Sequence, residues 1–315
     1  MRSPRWFGFS LYGLALGLAL VAVLGPLVTA TIDYRYSETM VNQAVGLDAF
    51  ALAVVAPVAV LAGRLVRRDH PAGPLVALGP SGFAAYMLVQ YVIGPEYLRI
   101  DGNGERFFLL FLGVFVLSVV ILFQAWSTAV AVPPHDRRTD RRRGAILLAL
   151  AGFVVFGMYL SNGFVSAMAD FPAYVAERAA TTEYDEHPTA FWLIASLDLG
   201  VVVPLAVAAA VALLRRRRWA TRAYYGVIGG FTLVPGSVAS MAITMVVRDD
   251  PAAQPGRATF LTVAAVVFSG LGLRAFARLF GRDGIVDVSS RLDDVSTTFS
   301  EEPDVHHHHP VHAHR

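Results

Sequence analysis

Two stretches decide the fold: GLDAFALAVVAPVAVLAGRLVRRDHPAGPLVALG over residues 46–79, and SLDLGVVVPLAVAAAVALLRRRRWATRAYYGVIG over residues 196–229. Each opens near a Leu-Asp pair, Leu47-Asp48 or Leu197-Asp198. Each then runs through apolar residues to an Arg cluster, Arg67-Arg68 or Arg215 to Arg218, and reaches a glycine, Gly79 or Gly229. Overlaid without gaps at an offset of 150, the stretches also agree at Ala56/Ala206, Ala59/Ala209 and Ala62/Ala212. Alanine matches are cheap in apolar helices, so the ordered Leu-Asp, Arg-Arg and Gly matches carry the comparison. Chance combined with shared helix-end chemistry is the bland explanation. The pattern points instead to a duplicated four-helix unit, a parallel repeat about an axis along the membrane normal.

Composition sets the environment. The chain has 315 residues, 55% of them hydrophobic and 16% charged, with mean hydropathy +0.53. Soluble domains carry about 25% charged residues, so the chain reads as an integral membrane protein. The absence of cysteine excludes disulfides, thiolate chemistry and Cys-ligated metals. All 26 basic residues are arginine.

A helix needs about 20 apolar residues to cross a bilayer. Eight segments qualify: 6–30, 45–66, 75–94, 107–132, 145–169, 191–214, 223–247 and 258–280. The expected fold is an all-α polytopic membrane protein in a 4+4 helix arrangement. Residues 1–132 form the first half, 133–144 an Arg-rich linker, 145–280 the second half, and 281–315 a disordered, His-rich tail. The first segment reads as a retained span and not a cleaved signal, because its apolar core is too long.

With the N-terminus inside, the inner side receives 20 of the 26 arginines, including Arg64, Arg67, Arg68, the run at 137–143, Arg215 to Arg218, Arg274 and Arg278. The outer loops receive Arg35, Arg99, Arg106, Arg178, Arg248 and Arg257. Both termini are therefore expected in the cytoplasm, in the plasma membrane. Trp6, Trp126 and Trp219 fall at the inner interface and Trp192 at the outer one. Gly13/Gly17 and Gly226/Gly230 have the small-xxx-small spacing of packed membrane helices. Pro57 and Pro204 fall inside the second and sixth segments, where each frees a backbone carbonyl.

The stretch from Gln43 to Trp126 resembles the first half of a family of uncharacterised bacterial multi-pass membrane proteins. The likeness rests on Asp48 with Pro57 nine residues on, the pair Arg67-Arg68, Gly73, and the tyrosines Tyr86 and Tyr91. The stretch from Pro188 to about Met245 looks like the second half, through Asp198, Pro204, the Arg-rich turn and Trp219. The family often has a histidine three residues before the second aspartate, where this chain has Ala195. The resemblance implies the eight-helix topology and no activity.

A carboxylate in a membrane segment is costly and usually has a partner or a purpose. Gln43, Asp48, Tyr86, Gln90, Tyr91, Ser161, Asn162 and Asp198 plot to the outer third of the second, third, fifth and sixth segments. Converging on one outward-facing cavity, they would suit a cation, a proton or a small polar solute. Asp48 also reads as a helix cap or first-turn acid, whereas Asp198 lies deeper than a cap should. Binding or translocation of a small solute or ion is thus one expectation. The other is a non-transporting component, such as a sensor, assembly factor or complex subunit, docking through its tail. An intramembrane enzyme would need a His/carboxylate cluster, and no HExxH pair or Gly-x-Ser-x-Gly elbow is present. His187 beside Asp185 and Glu186, and His306, His307, His308 and His309 in the tail, are weak metal candidates. No cofactor is expected. The Arg clusters suit anionic headgroups, and nucleic-acid binding is not needed to explain them.

Overall fold

Apolar runs of 19 to 30 residues satisfy their backbone groups as helices. A computed structural model describes residues 5–129, 136–177 and 187–280, with the side chains of Arg5 and Asn162 left aside. The helices are α1 (Arg5–Leu24), α2 (Glu38–Arg67), α3 (Ala72–Ile93), α4 (Gly104–Thr128), α5 (Arg137–Tyr159), α6 (Phe164–Ala169), α7 (Phe171–Glu177), α8 (Pro188–Leu214), α9 (Ala220–Val247) and α10 (Pro255–Ala277). Eight of them are long and apolar enough to cross a membrane. The exceptions, α6 and α7, are short pieces between α5 and α8. The chain is an all-helical, multi-pass membrane protein. The expected disordered tail lies outside the described residues.

Several boundaries differ from the hydropathy reading, α5 most of all: it spans Arg137–Tyr159 where the apolar run is 145–169, and the end of that run falls in the turn at Leu160–Asn162 and in the short helix α6. α1 stops at Leu24, just before Gly25-Pro26. α2 begins at Glu38, seven residues before its apolar run, because its polar first turns find partners. Asp250, in the turn between α9 and α10, accepts from Thr39 Oγ1 at 3.1 Å and from Asn42 Nδ2 at 2.7 Å. Arg248 Nη1 donates to Asn42 Oδ1 at 3.1 Å. Tertiary hydrogen bonds thus extend a helix through residues that hydropathy assigns to a loop.

The prolines reshape α2 and α8 alike. A π-helical turn occupies Ala51–Val55 in α2 and Asp198–Val202 in α8, and each ends two residues before its proline, Pro57 or Pro204. A proline ring clashes with the carbonyl four residues back, and a wider turn relieves that clash. Proline is neither sufficient nor necessary, since Pro80 and Pro235 sit in unbroken α-helix and α5 carries a π segment, Phe153–Tyr159, without one.

Three helices end on a left-handed residue that is not glycine: Asp69 after α2, Arg216 after α8 and Asp249 after α9, with φ of 52°, 52° and 51°. Each end closes with the paired bonds of a Schellman turn, such as His70 N–H to Leu65 O at 2.9 Å and Asp69 N–H to Val66 O at 3.0 Å. The left-handed conformation costs a side-chain-bearing residue roughly 1–2 kcal/mol. Asp69 is exposed, so Asp69→Gly is expected to hold or slightly raise the melting temperature. Asp69→Val should lower it, because branching at Cβ worsens the clash. Thermal unfolding in detergent reads both.

α3 is the most buried of the spans and touches α2, α4, α8 and α9. α1 lies on α2 and α4 through fully buried Phe7, Leu11, Leu14, Leu18 and Val21, spaced alternately four and three residues apart. In the second half α5 packs on α8, α8 on α9 and α9 on α10. α10 turns Phe260, Val263, Val266 and Leu273 outward, as a lipid-facing helix does. α9 joins the halves by packing on both α2 and α3. At the α2–α9 crossing Gly46 meets the α9 backbone, and Ser240 Oγ donates to Gly46 O at 2.7 Å. Two contacts between the halves join residues 150 apart. Gly79 of α3 lies against Gly229 of α9, and the Ser37 N–H donates to His187 Nε2 at 2.7 Å.

Candidate functional site: two carboxylates, each held by two tyrosines

Asp48 is the eleventh residue of α2 and Asp198 the eleventh of α8. At 1.5 Å per residue each carboxylate stands about 15 Å along its own helix. Asp48 is therefore no cap. The seven extra residues of α2 carry it into the bundle, where it is fully buried. Tyr91 Oη donates to Asp48 Oδ1 at 2.6 Å and Tyr34 Oη to Oδ2 at 3.2 Å. The Tyr34 and Tyr91 rings lie 4.9 Å apart, and Phe111 stacks on Tyr91 at 5.7 Å. Gly25 leaves room for this group: a Cβ there would stand 2.8 Å from Tyr34 Oη and 2.9 Å from Asp48 Oδ2.

The α1–α2 loop closes this site. Tyr34 and Tyr36 point inward from it, and Tyr36 Oη donates to Gln90 O at 2.8 Å. Between them Arg35 points out and grips Glu105 with both Nε (2.9 Å) and Nη2 (2.7 Å), while its Nη1 donates to Ile100 O at 2.8 Å. The Asp33 N–H donates to Asn103 Oδ1 at 2.8 Å, which ties the loop to the α3–α4 connection. Burial, and next the Asp48 carboxylate, push the Tyr34 hydroxyl well above its ordinary pKa. Burial does the same to Tyr36. Both phenols stay protonated and serve as donors.

Asp198 has the same chemistry in a more open setting. Tyr86 Oη donates to its Oδ1 at 2.9 Å and Tyr159 Oη to its Oδ2 at 2.8 Å. The residue is only partly buried, although packing covers most of its carboxyl group. Asp198 is the first residue of the π turn in α8, and Tyr159 is the last residue of the π segment in α5. Such turns loosen the helical hydrogen-bond ladder and recur at functional sites. Tyr86 and Tyr91 share α3. Five residues place them about 7.5 Å apart along the axis and about 140° apart around it, so α3 is a common wall between the sites. Among the described residues neither Asp48 nor Asp198 forms an ion pair.

The other sequence candidates fall in different places. Gln43 is buried at a small cavity of about 40 Å³ between α2, α9 and α10, lined also by Met241, Met245, Gln254 and Arg257. Gln90 Nε2 donates to Tyr86 O at 3.4 Å, so this amide braces the Tyr86 turn. The Asn162 side chain, Asp185, Glu186 and His306 to His309 lie outside the described residues. His187 turns inward to Ser37, with its ring 5.3 Å from that of Tyr36. No group of three or more His, Cys, Asp or Glu able to hold a metal occurs among the described residues. The expected single outward cavity is not how these residues are arranged: the two carboxylates have separate tyrosine pairs, and neither lines the 40 Å³ cavity. Tyr34 and Tyr159 were not among the expected site residues. The only hint of Tyr34 was a pair of tyrosines two apart in an otherwise polar loop.

Fold and site together define a polytopic helical membrane protein with two intramembrane carboxylates, each capped by two phenols. Comparison with protein families, curated proteins and solved structures finds no match.

Proposed function

We propose that this protein binds and exchanges a proton or a small monovalent cation at Asp198, with Asp48 as its closed counterpart. The observation that carries the reading is a carboxylate deep in a membrane helix, held by two neutral donors and, among the described residues, by no arginine. Such a carboxylate lacks a countercharge, and a proton or small cation supplies one. Asp198 is the exchanging site because it is partly exposed and sits where two π segments meet. Asp48 is sealed beneath a loop clamped by Arg35 and Glu105.

The two sites belong to a proposed duplication. The 150-residue offset of the sequence match recurs in the Gly79–Gly229 and Ser37–His187 contacts. Such contacts are what a two-fold axis between repeats, here along the membrane normal, would give. The arginine distribution supports cytoplasmic termini in the plasma membrane, so that the tyrosine sites would face outward. A non-transporting role remains the second reading. It draws on the enclosure of Asp48 and on cavities lying away from both carboxylates.

In proteoliposomes holding a pH-sensitive dye, a pH or cation gradient is expected to drive a flux through the wild type. Asp198→Asn should reduce that flux at least tenfold while the protein still folds. Equal flux in the variant, or none in the wild type with either proton or alkali-cation gradients, would favour the non-transporting reading.

A further inference from the structure

At the Arg-rich end of α5 and α8 lies a cavity of about 410 Å³, distinct from both carboxylate sites. Arg137 and Arg141 line it from the first turns of α5, and Arg215 and Arg216 from the turn after α8. Asp140, nearly fully buried, also reaches it, with Arg216 Nε 3.8 Å from Asp140 Oδ2. Four arginines less one aspartate leave a formal charge of +3 on its walls. Arg216 reaches the cavity from the strained left-handed position described above. The neighbouring Arg143 is engaged elsewhere, lying 4.8 Å above the Tyr224 ring.

We infer that this cavity is a binding site for the phosphate headgroup of an anionic membrane lipid. A guanidinium cluster offers paired donors matched to phosphate oxygens. Free phosphate shares that chemistry, and the surroundings favour the lipid. The cavity stands at the end of an exposed apolar stripe on α8, Val207, Val211 and Leu214, spaced four and three residues apart. α5 presents exposed Ala145 and Leu148 in the same register after Arg141. The two helices meet between the stripes, where Gly144 faces Ala210 and Leu214. Acyl chains lying along these stripes would hold a headgroup against the arginines. A free anion gains nothing from the stripes. The site rests on this cavity alone and is independent of any role of Asp198.

The test uses the full chain purified in an uncharged detergent. Melting temperature is measured with added dioleoylphosphatidylglycerol, dioleoylphosphatidylcholine or inorganic phosphate. The phosphatidylglycerol is expected to raise it by several degrees, and the other two to leave it nearly unchanged. Arg141→Gln/Arg216→Gln should lose most of the rise, whereas Arg64→Gln/Arg278→Gln, outside the cavity, should keep it. If the first pair fails to fold, Arg137→Gln/Arg215→Gln carries the same expectation. The proposal is overturned if the control pair loses as much as the cavity pair, which would mean general attraction to a basic surface. An equal response to phosphatidylcholine, or to inorganic phosphate alone, overturns the lipid assignment.

Discussion

Replacing Gly46 by alanine should prevent the two halves from docking. A Cβ at Gly46 would lie 2.6 Å from Met241 Cα, 2.6 Å from Ser240 O and 2.7 Å from Met241 N. All three are backbone atoms of α9, which cannot rotate aside as a side chain can. The helices must separate, which lengthens the Ser240–Gly46 hydrogen bond and lifts Phe50 from the backbone of Gly236. Overpacking of a core costs about 1–3 kcal/mol, and a backbone clash at a helix crossing belongs at or above the top of that range. Gly79→Ala is the matched control. Its Cβ would meet Gly229 Cα at 3.5 Å, an ordinary contact. Fluorescence-detected gel filtration in detergent should show aggregation for Gly46→Ala and a monodisperse peak for Gly79→Ala. Equal behaviour of the two would mean that the α2–α9 crossing is not built as described.

Asp48→Leu is expected to be nearly as damaging, for a polar reason. The substitution leaves the Tyr34 and Tyr91 hydroxyls buried without their acceptor. Each orphaned buried hydroxyl costs about 1–3 kcal/mol, so the loss is roughly 2–6 kcal/mol before repacking. Asp48→Asn keeps one acceptor and should fall between. The triple change Asp48→Leu, Tyr34→Phe, Tyr91→Phe removes donors and acceptor together, and most of the stability should return. The melting temperatures of these variants, taken as a series, check the argument. If Asp48→Leu alone melts with the wild type, the carboxylate is not the acceptor that holds these phenols.

Much of the architecture was legible because membrane helices announce themselves by length and apolarity. All eight spans were located, but their ends were missed for different reasons, and α5 begins eight residues before its expected run and ends ten residues before that run does. The start of α2 is hidden in polar residues that only Asp250 and Arg248 make helical. The end of α1 depends on Gly25-Pro26, which hydropathy averages away. Asp48 and Asp198 stood out because ionisable residues are rare in such segments. Their partners did not. Tyr34 reaches Asp48 from a loop, and Tyr159 reaches Asp198 from a π segment that no proline marks.

The matched stretches also concealed how differently the two sites are made. Residue by residue at the 150 offset, Tyr86 corresponds to Gly236, Tyr91 to Met241 and Phe9 to Tyr159. Tyr34, by contrast, corresponds to Tyr184, so three of the four tyrosines have no tyrosine at the matching position. Glycine spacing misled in the same way. Gly17 does pack tightly on Val114, but Gly230 meets nothing within 4 Å. The tightest backbone approach, at Gly46, belongs to no small-xxx-small pair. Which glycine touches a neighbour depends on how each helix is rotated against its neighbours, which sequence spacing alone does not fix.

The central claim is that Asp198 exchanges a proton or small cation while Asp48 does not. Infrared difference spectroscopy of the purified protein reads it most directly, by following carboxyl and carboxylate bands as pH is stepped or as sodium replaces a bulky organic cation. Within the response of all 24 acidic residues, a carboxyl signal is expected that is lost in Asp198→Asn and retained in Asp48→Asn. A wild-type spectrum unchanged by Asp198→Asn, or a response that vanishes only with Asp48→Asn, would contradict it.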